Sequence, residues 1–325
     1  MKKGKLDLKV LKEIISSYTG ISKKETLISS SIGEDCCLID LNLLNEDVLM
    51  ISSDPITFTS KNIGKLAVII NTNDIYATGG IGYGIIVNVL IPTNKTIDDF
   101  KIVMKDIHEE CIKHNLQILG GHTEITDVVN DIVVSVTILG ICNKNNVVNT
   151  CTSKKQDLIF LTKTLGIEGT VVLFDENKKE LESILNDEEI KEIENFREKI
   201  SIKNECTILR NFKINSMHDI TEGGLIGALL EMSTSSNKGF KIYKDKIQIH
   251  NITKKICDYL NKDVYHLISS GNLLFTCEKD QEKLIKEGFK NSNIECNVIG
   301  YIDDKGKYYL DNNKIMFDIS DSFFN

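Results

Sequence analysis

The chain has 325 residues, enough for two domains rather than one. It is 41% hydrophobic and 26% charged, as soluble globular proteins are, and its net charge of −8 argues against nonspecific binding to nucleic acid or anionic membranes. No stretch approaches the roughly 18 apolar residues of a membrane span, and Lys5, Asp7, Lys9 and Lys12 break up the start, so neither a span nor a signal peptide is expected and the expected location is cytoplasmic. The nine cysteines contain no Cys-x-x-Cys pair, so reduced, mostly buried thiols are expected.

Residues 7–18 predict a short amphipathic helix, with Leu8, Leu11, Ile14 and Ile15 on its stripe. Ser30 to Asp40 reads as a glycine turn carrying Glu34 and Asp35, then a strand. Val48 to Pro55 is a second strand with Asp54 near its end. From Asn62 to Gly80 a helix is predicted, with Ile63, Leu66, Ala67, Ile70 and Ala77 at helical spacing and Gly79-Gly80 as the stop. Asp74 falls on that same apolar face, where a carboxylate needs a partner or a metal. Lys65 lies near the helix start, where free amides favour an anion.

Gly84–Ile91 is an apolar run of strand length, with Asn88 on the side of Ile86 and Leu90. Thr96 to His114 predicts a helix with Ile97, Phe100, Val103, Met104, Ile107 and Cys111 on one stripe. Leu116 onward reads as a strand that ends at Gly120-Gly121, followed by the polar trio His122, Thr123 and Glu124. Ile132–Cys142 is another strand, and the polar stretch 143–157 marks a domain boundary. The domains are placed at 1–152 and 153–325, and the alternation of strands and helices predicts an α/β or α+β fold. The second half restarts with a strand at Leu158–Thr162 and a helix near Thr170. Residues 178–212 are charged and mostly helical, and a helix over Leu225–Met232 follows Asp219 and Gly223-Gly224. A strand at Phe240–Tyr243, helices near 250–260 and 280–288, and strands at 297–302 and 308–318 complete the chain.

Asp35, Asp54, Asp74 and Glu124 all stand beside strands or glycine turns. Carboxylates gathered there are what Mg²⁺ with a nucleotide requires, and glycine pairs let the backbone approach phosphate. Gly64-Lys65 is not a Walker A loop.

Seven motifs then occur in a telling order: Gly33-Glu34-Asp35, Ser53-Asp54-Pro55, Gly64-Lys65-Leu66-Ala67, Asn73-Asp74-Ile75, Gly120-Gly121-His122-Thr123, Asp157-Leu158-Ile159, and Asp219-Ile220-x-x-Gly223-Gly224-Leu225. This order resembles the aminoimidazole-ribonucleotide (AIR) synthetase superfamily from about Ser30 to about Asp303. The resemblance implies a two-domain fold: an N-terminal sheet that pairs with a second subunit's in a dimeric β-barrel, and a C-terminal α/β domain. It implies ATP and Mg²⁺ as cofactors, with Asp35, Asp74 and Glu124 as metal ligands and Lys65, Asn73, Gly120, Gly121 and Thr123 as nucleotide contacts. Asp54, His122 and Asp219 are the implied catalytic residues. The implied chemistry is activation of an amide-type oxygen, or a related acceptor, by phosphoryl transfer.

Motif spacing looks most like the HypE branch, which serves hydrogenase maturation. Two departures stand out: His122 replaces an acid, and the chain ends Phe323-Phe324-Asn325 where HypE ends in a cysteine. The acceptor is therefore expected to be another molecule, small or carrier-bound, with other maturation proteins as partners. A purine-biosynthesis cyclo-ligase and a non-catalytic nucleotide-binding scaffold stay open as alternatives.

Overall fold

A computed structural model describes residues 4–5, 8–28, 38–57 and 62–314. The chain forms two compact units, one comprising residues up to Tyr76 plus Gly80–Val147, the other Ala77–Gly79 and everything from Val148 on.

The first unit runs β1 (Gly4–Lys5), α1 (Leu8–Ser17), β2 (Thr26–Ile28), β3 (Leu38–Ile39), β4 (Val48–Ile56), α2 (Ile63–Ala77), β5 (Ile81–Pro92), α3 (Ile97–His114), β6 (Gln117–Thr126) and β7 (Val133–Cys142). Five strands make one sheet in the order β1-β6-β5-β7-β4, in which only β5 and β6 run parallel. β2 and β3 pair apart from it.

One face of this sheet is a core. Val87, Val89, Val134, Val136 and Ile138 are buried along it, as are Phe100, Val103, Met104, Ile107 and Cys111, the predicted inner stripe of α3. Thr96 begins α3 with a capping box to Asp99, a device contributing about 1 kcal/mol. The other face is open. Cross-strand neighbours Leu49, Ile141 and Ile81 form one apolar row on it, and Ile51 and Leu139 the next. Leu49, Ile51 and Ile81 are exposed.

Two sequence expectations change here. α2 was expected to be amphipathic, yet it is buried on nearly all sides, and among its residues only Lys65 and Asp74 are half-exposed. Its stop is as predicted: Gly79 takes φ 86 and the Gly80 amide donates back to the Ile75 carbonyl at 2.8 Å. β6 does not end at Gly120-Gly121 but runs through both to Thr126.

The second unit runs β8 (Leu158–Thr162), α4 (Ile167–Glu176), α5 (Lys178–Leu181), α6 (Asp187–Arg197), α7 (Lys203–Leu209), β9 (Ser216–Asp219), α8 (Gly224–Ser236), β10 (Gly239–Ile242), α9 (Asn251–Leu260), β11 (Leu273–Cys277), α10 (Glu282–Asn291), β12 (Cys296–Asp303), β13 (Tyr308–Leu310) and β14 (Asn313–Lys314). Its seven strands are ordered β14-β13-β10-β12-β8-β11-β9. Both faces are covered. Ile159, Leu161, Leu274 and Ile299 pack with α8, and Phe160, Phe275 and Phe289 stack on the other side at 4.8 and 6.0 Å between ring centroids. Each such ring pair contributes about 1 kcal/mol beyond area burial.

Candidate functional site

In the first unit the polar residues Asn71, Thr72, Asn73 and Asp74 interrupt a helix that is otherwise core. Asn71 is fully buried and serves the sheet edge. Its amide oxygen accepts from the Asp54 N–H at 2.9 Å, and its amide nitrogen donates to the Asp54 carbonyl at 3.2 Å and the Ala67 carbonyl at 2.9 Å. The carboxamide thus stands in for a missing strand and satisfies the edge at that point. Three residues on, Asp74 Oδ2 accepts from Ser52 Oγ at 2.5 Å. Ser52 and Asp54 alternate with Ser53 along β4, so both lie on the α2 side. Asp54 and Asp74 are each half-buried. Neither is walled off from a ligand, and neither is free to wander.

Lys65 leaves α2 on the other side. It stands nine positions before Asp74, about two and a half turns. It faces α3, where burial raises the Asp106 carboxyl and the Lys65 ammonium pulls it back down. Asn73 is fully buried inside the helix packing.

The β6 residues divide between the two faces. Gly120, His122 and Glu124 pair with Ile86, Asn88 and Leu90, on the open face. There His122 Nε2 lies 3.7 Å from Glu124 Oε2, both half-exposed. Gly121 and Thr123 pair with Val87 and Val89, on the core side. A Cβ on Gly121 would meet the Val87 carbonyl oxygen at 1.9 Å, so only glycine fits. Beside Gly120 the space is open.

The structure therefore puts Asp54 and Asp74 on the same side of β4, each beside α2, and the His122–Glu124 pair on the other face of the sheet. Asp35 lies outside the described residues, among which no group of three or more His, Cys, Asp or Glu side chains is arranged to hold a metal. The Asp54 and Asp74 carboxylates fit a Mg²⁺ that keeps waters and takes phosphate oxygens, since that ion needs only one or two protein carboxylates.

In the second unit a polar cluster crowns one edge of the sheet. Thr162, Leu273 and Asp219 lie in register across β8, β11 and β9. Asp219, only 6% exposed, has Oδ1 3.6 Å from His218 Nδ1, while Oδ2 has no hydrogen-bond partner among the described residues. His218 Nε2 reaches Glu231 Oε2 on α8 at 3.1 Å. Burial disfavours the imidazolium, but the hydrogen bonds to Asp219 and Glu231 outweigh it and push His218 up to about 10.

A raised histidine stabilises fully below its ordinary value and loses that contribution as pH rises through the folded value. Folding stability, and the thermal midpoint with it, is thus expected to fall between pH 6.5 and about 10, the stability by on the order of a few kcal/mol at most, given how exposed Glu231 is. Glu231→Gln should flatten that slope in a pH series of melts, and an unchanged slope would contradict the assignment.

Next to it, Lys163 Nζ is enclosed by oxygens: Glu205 Oε1 at 2.7 Å and the carbonyls of Lys199, Ser201 and Gly271 at 2.9, 2.8 and 3.0 Å. Gly271 belongs to the turn Ser269–Asn272, in which the Ser270 hydroxyl is buried without a partner among the described residues. At the starts of α4 and α8 one first-turn amide each is already taken by a main-chain carbonyl. Their Gly169 and Ile226 amides donate to the carbonyls of Ile268 and Tyr265 at 3.0 and 3.1 Å.

Asn71, Ser52, His218, Lys163 and Ser270 were not singled out as site residues from sequence. The one available signal was the run of four polar residues, Asn71 to Asp74, inside an apolar helix.

Residues 33–142 match the N-terminal domain of the family described as AIR synthase related protein, and residues 154–311 match its C-terminal domain. The chain belongs to this family. A Methanocaldococcus jannaschii protein named for hydrogenase expression/formation is 28% identical over 251 residues, 76% of this chain and 72% of its own. The thiamine-monophosphate kinase of Bacillus subtilis is 22% identical over 306 residues, 91% and 92% of the two chains. The fold matches crystal structures of the hydrogenase maturation protein HypE. The E. coli protein gives a TM-score of 0.78 at 18% identity, over 94% of this chain and 95% of that one. A HypE in complex with ATP gives 0.71 at 17% identity, over 84% and 81%.

Proposed function

We propose that this chain is a HypE-like, ATP-dependent enzyme that binds Mg-ATP and activates an amide-type oxygen, or a related acceptor, by phosphoryl transfer during hydrogenase or other cofactor maturation. The observation that carries the reading is the Asp54–Asp74 pair, held beside a buried helix by Asn71 and Ser52. Its support is the shared family, a relative named for hydrogenase expression/formation, a relative named a kinase, and a like-folded HypE that holds ATP.

Asp54 and Asp74, with Asp35, would hold the Mg²⁺. Bound there, the ion neutralises phosphate charge and aligns the γ-phosphate. The chain's own part is placement: Ser52 fixes the Asp74 carboxylate and Asn71 fixes the Asp54 backbone. Of the nucleotide contacts that the resemblance implies, Asn73 is buried in the helix packing, Lys65 leaves the far side of α2, and Gly120 lies with His122 and Glu124 on the opposite sheet face, so none of these is assigned to this carboxylate site.

The acceptor in this reading is another molecule rather than a buried cysteine of this chain; Cys151 is exposed, and Cys36 and Cys37 lie outside the described residues. Cys111, Cys206, Cys257 and Cys277 are buried, and burial pushes their thiols up. Cys296 is half-buried at the head of β12, paired with Thr162, and burial pushes it up too. Freeing it would break strand hydrogen bonds, each worth about 1 kcal/mol. Steady-state ATP turnover over candidate amides, with intact-mass measurement after incubation with a carbamoyl-transferase, carbamoyl phosphate and ATP, tests both points. Acceptor-stimulated turnover without mass gain is expected. A carbamoyl or cyano adduct on any of the nine cysteines would reverse the acceptor assignment.

We also propose a homodimer formed through the open sheet face. Leu49, Ile51 and Ile81 lie exposed there, beside Leu139 and Ile141. Light scattering should give twice the chain mass at micromolar concentration, and Ile51→Glu should give the monomer. A monomeric wild type would refute it.

A further inference from the structure

α2 meets its neighbours on two sides, and polar side chains make directional contacts on both. On the β4 side stand Asn71 and Asp74. On the α3 side the Tyr76 hydroxyl lies 2.9 Å from His114 Nδ1, with the two rings stacked at 5.8 Å between centroids. His114 Nε2 lies 3.2 Å from Glu110 Oε1, and Lys113 Nζ lies 3.1 Å from Glu110 Oε2. Tyr76, His114 and Glu110 are each no more than 5% exposed. Burial raises the Glu110 carboxyl, but the hydrogen bonds from His114 and Lys113 outweigh it and hold the group below its ordinary value. With Nε2 protonated, the imidazole donates to Glu110 and accepts from the Tyr76 hydroxyl, so both ring nitrogens are used.

Stability alone does not ask for this network. Taking a carboxylate out of water costs several kcal/mol, and apolar side chains of similar volume commonly do as well or better. What the polar groups add is direction. Apolar contacts tolerate a small turn or slide of a helix, whereas a hydrogen bond weakens steeply once its angle is lost. Tyr76 follows Asp74 by two residues, about 200° around the axis, so the two side chains leave opposite sides of the same turn. A rotation of α2 that breaks the Tyr76–His114 bond therefore also carries the Asp74 carboxylate away from Ser52.

We infer that Tyr76 and His114, backed by Glu110, are positioning residues that set the rotation of the last turn of α2 and so keep the Asp74 carboxylate on the β4 side, where it would meet Mg²⁺. This rests on Asp74 being a metal ligand, as proposed above. Mg²⁺ demands near-octahedral ligands at about 2.0–2.1 Å, while Ca²⁺ accepts looser ligand sets at about 2.3–2.6 Å. A carboxylate slightly out of place is thus felt by the smaller ion first.

Calorimetric titration of the full-length protein with ATP in Mg²⁺ and in Ca²⁺, with melts alongside, tests this in Tyr76→Phe and in the triple variant Tyr76→Phe/Glu110→Leu/His114→Leu. Tyr76→Phe removes one oxygen from the core, and the triple variant removes all three polar groups and so strands no buried charge. Both should stay folded, and both should weaken Mg-ATP binding by about 5- to 20-fold with Ca-ATP binding within about twofold of wild type, because the loss is one of alignment. A merely structural network predicts otherwise. Mg-ATP and Ca-ATP binding would then fall together in Tyr76→Phe, and Mg-ATP binding would recover in the triple variant. Either result overturns the inference, as does Mg-ATP binding in Tyr76→Phe equal to that of the wild type. A wild type without Mg²⁺-dependent ATP binding would instead overturn the proposed function, and the positioning role with it.

Discussion

Lys163→Met is expected to destabilise the second unit by about 3–5 kcal/mol, the usual cost of removing one partner from a buried ion pair. Glu205 is 1% exposed and its carboxylate rests on Lys163 at 2.7 Å. Three main-chain carbonyls, from Lys199, Ser201 and Gly271, converge on the same ammonium. Methionine fills most of the space but leaves these oxygens without a donor and the carboxylate bare. Burial does push the Lys163 ammonium down, but Glu205 opposes that shift. A drop of about 10 °C in the thermal midpoint is expected. Adding Glu205→Leu should recover part of it, because the stranded charge is then gone. A midpoint within a degree or two of wild type for Lys163→Met would show that the four-oxygen cage carries little.

Asp74→Asn is expected to weaken Mg-ATP binding by tenfold or more (a rough floor for losing a ligand charge) while leaving the fold intact. The side chain is half-exposed, and one of its partners is the Ser52 hydroxyl, from which an amide oxygen also accepts. Stability should therefore change little while the charge that faces the metal is lost. Asp35→Asn should behave alike. His122→Ala should matter less, since His122 faces Glu124 on the other side of the sheet. Unchanged ATP affinity in Asp74→Asn would remove α2 from the site.

How much of this was legible in the sequence follows from which interactions are local. The α3 stripe and the Gly79-Gly80 stop were readable because helix periodicity and left-handed glycine are properties of a few adjacent residues. Motif order carried the family and the two-domain α/β fold for the same reason. The spacing in α2 predicts an amphipathic helix, but a helix buried on nearly all sides shows little periodicity for a stripe to stand out against. Two of its four polar residues, Asn71 and Asp74, contact β4, and no local pattern says which strand will lie beside them. Paired glycines predict a stop in β6 at Gly120-Gly121, yet the strand runs through both. Gly121 is instead required by the main chain of β5, a neighbour fixed only by tertiary pairing. Lys163–Glu205 and His218–Glu231 join residues far apart along the chain, so neither partner predicts the other.

Calorimetric titration of the purified protein with ATP, with and without Mg²⁺, tests the central claim most directly. The expected result is saturable one-site binding with Kd on the order of 1 μM to 1 mM, dependent on Mg²⁺ and weakened in Asp74→Asn. The absence of any Mg²⁺-dependent ATP binding by the folded wild-type protein would contradict it.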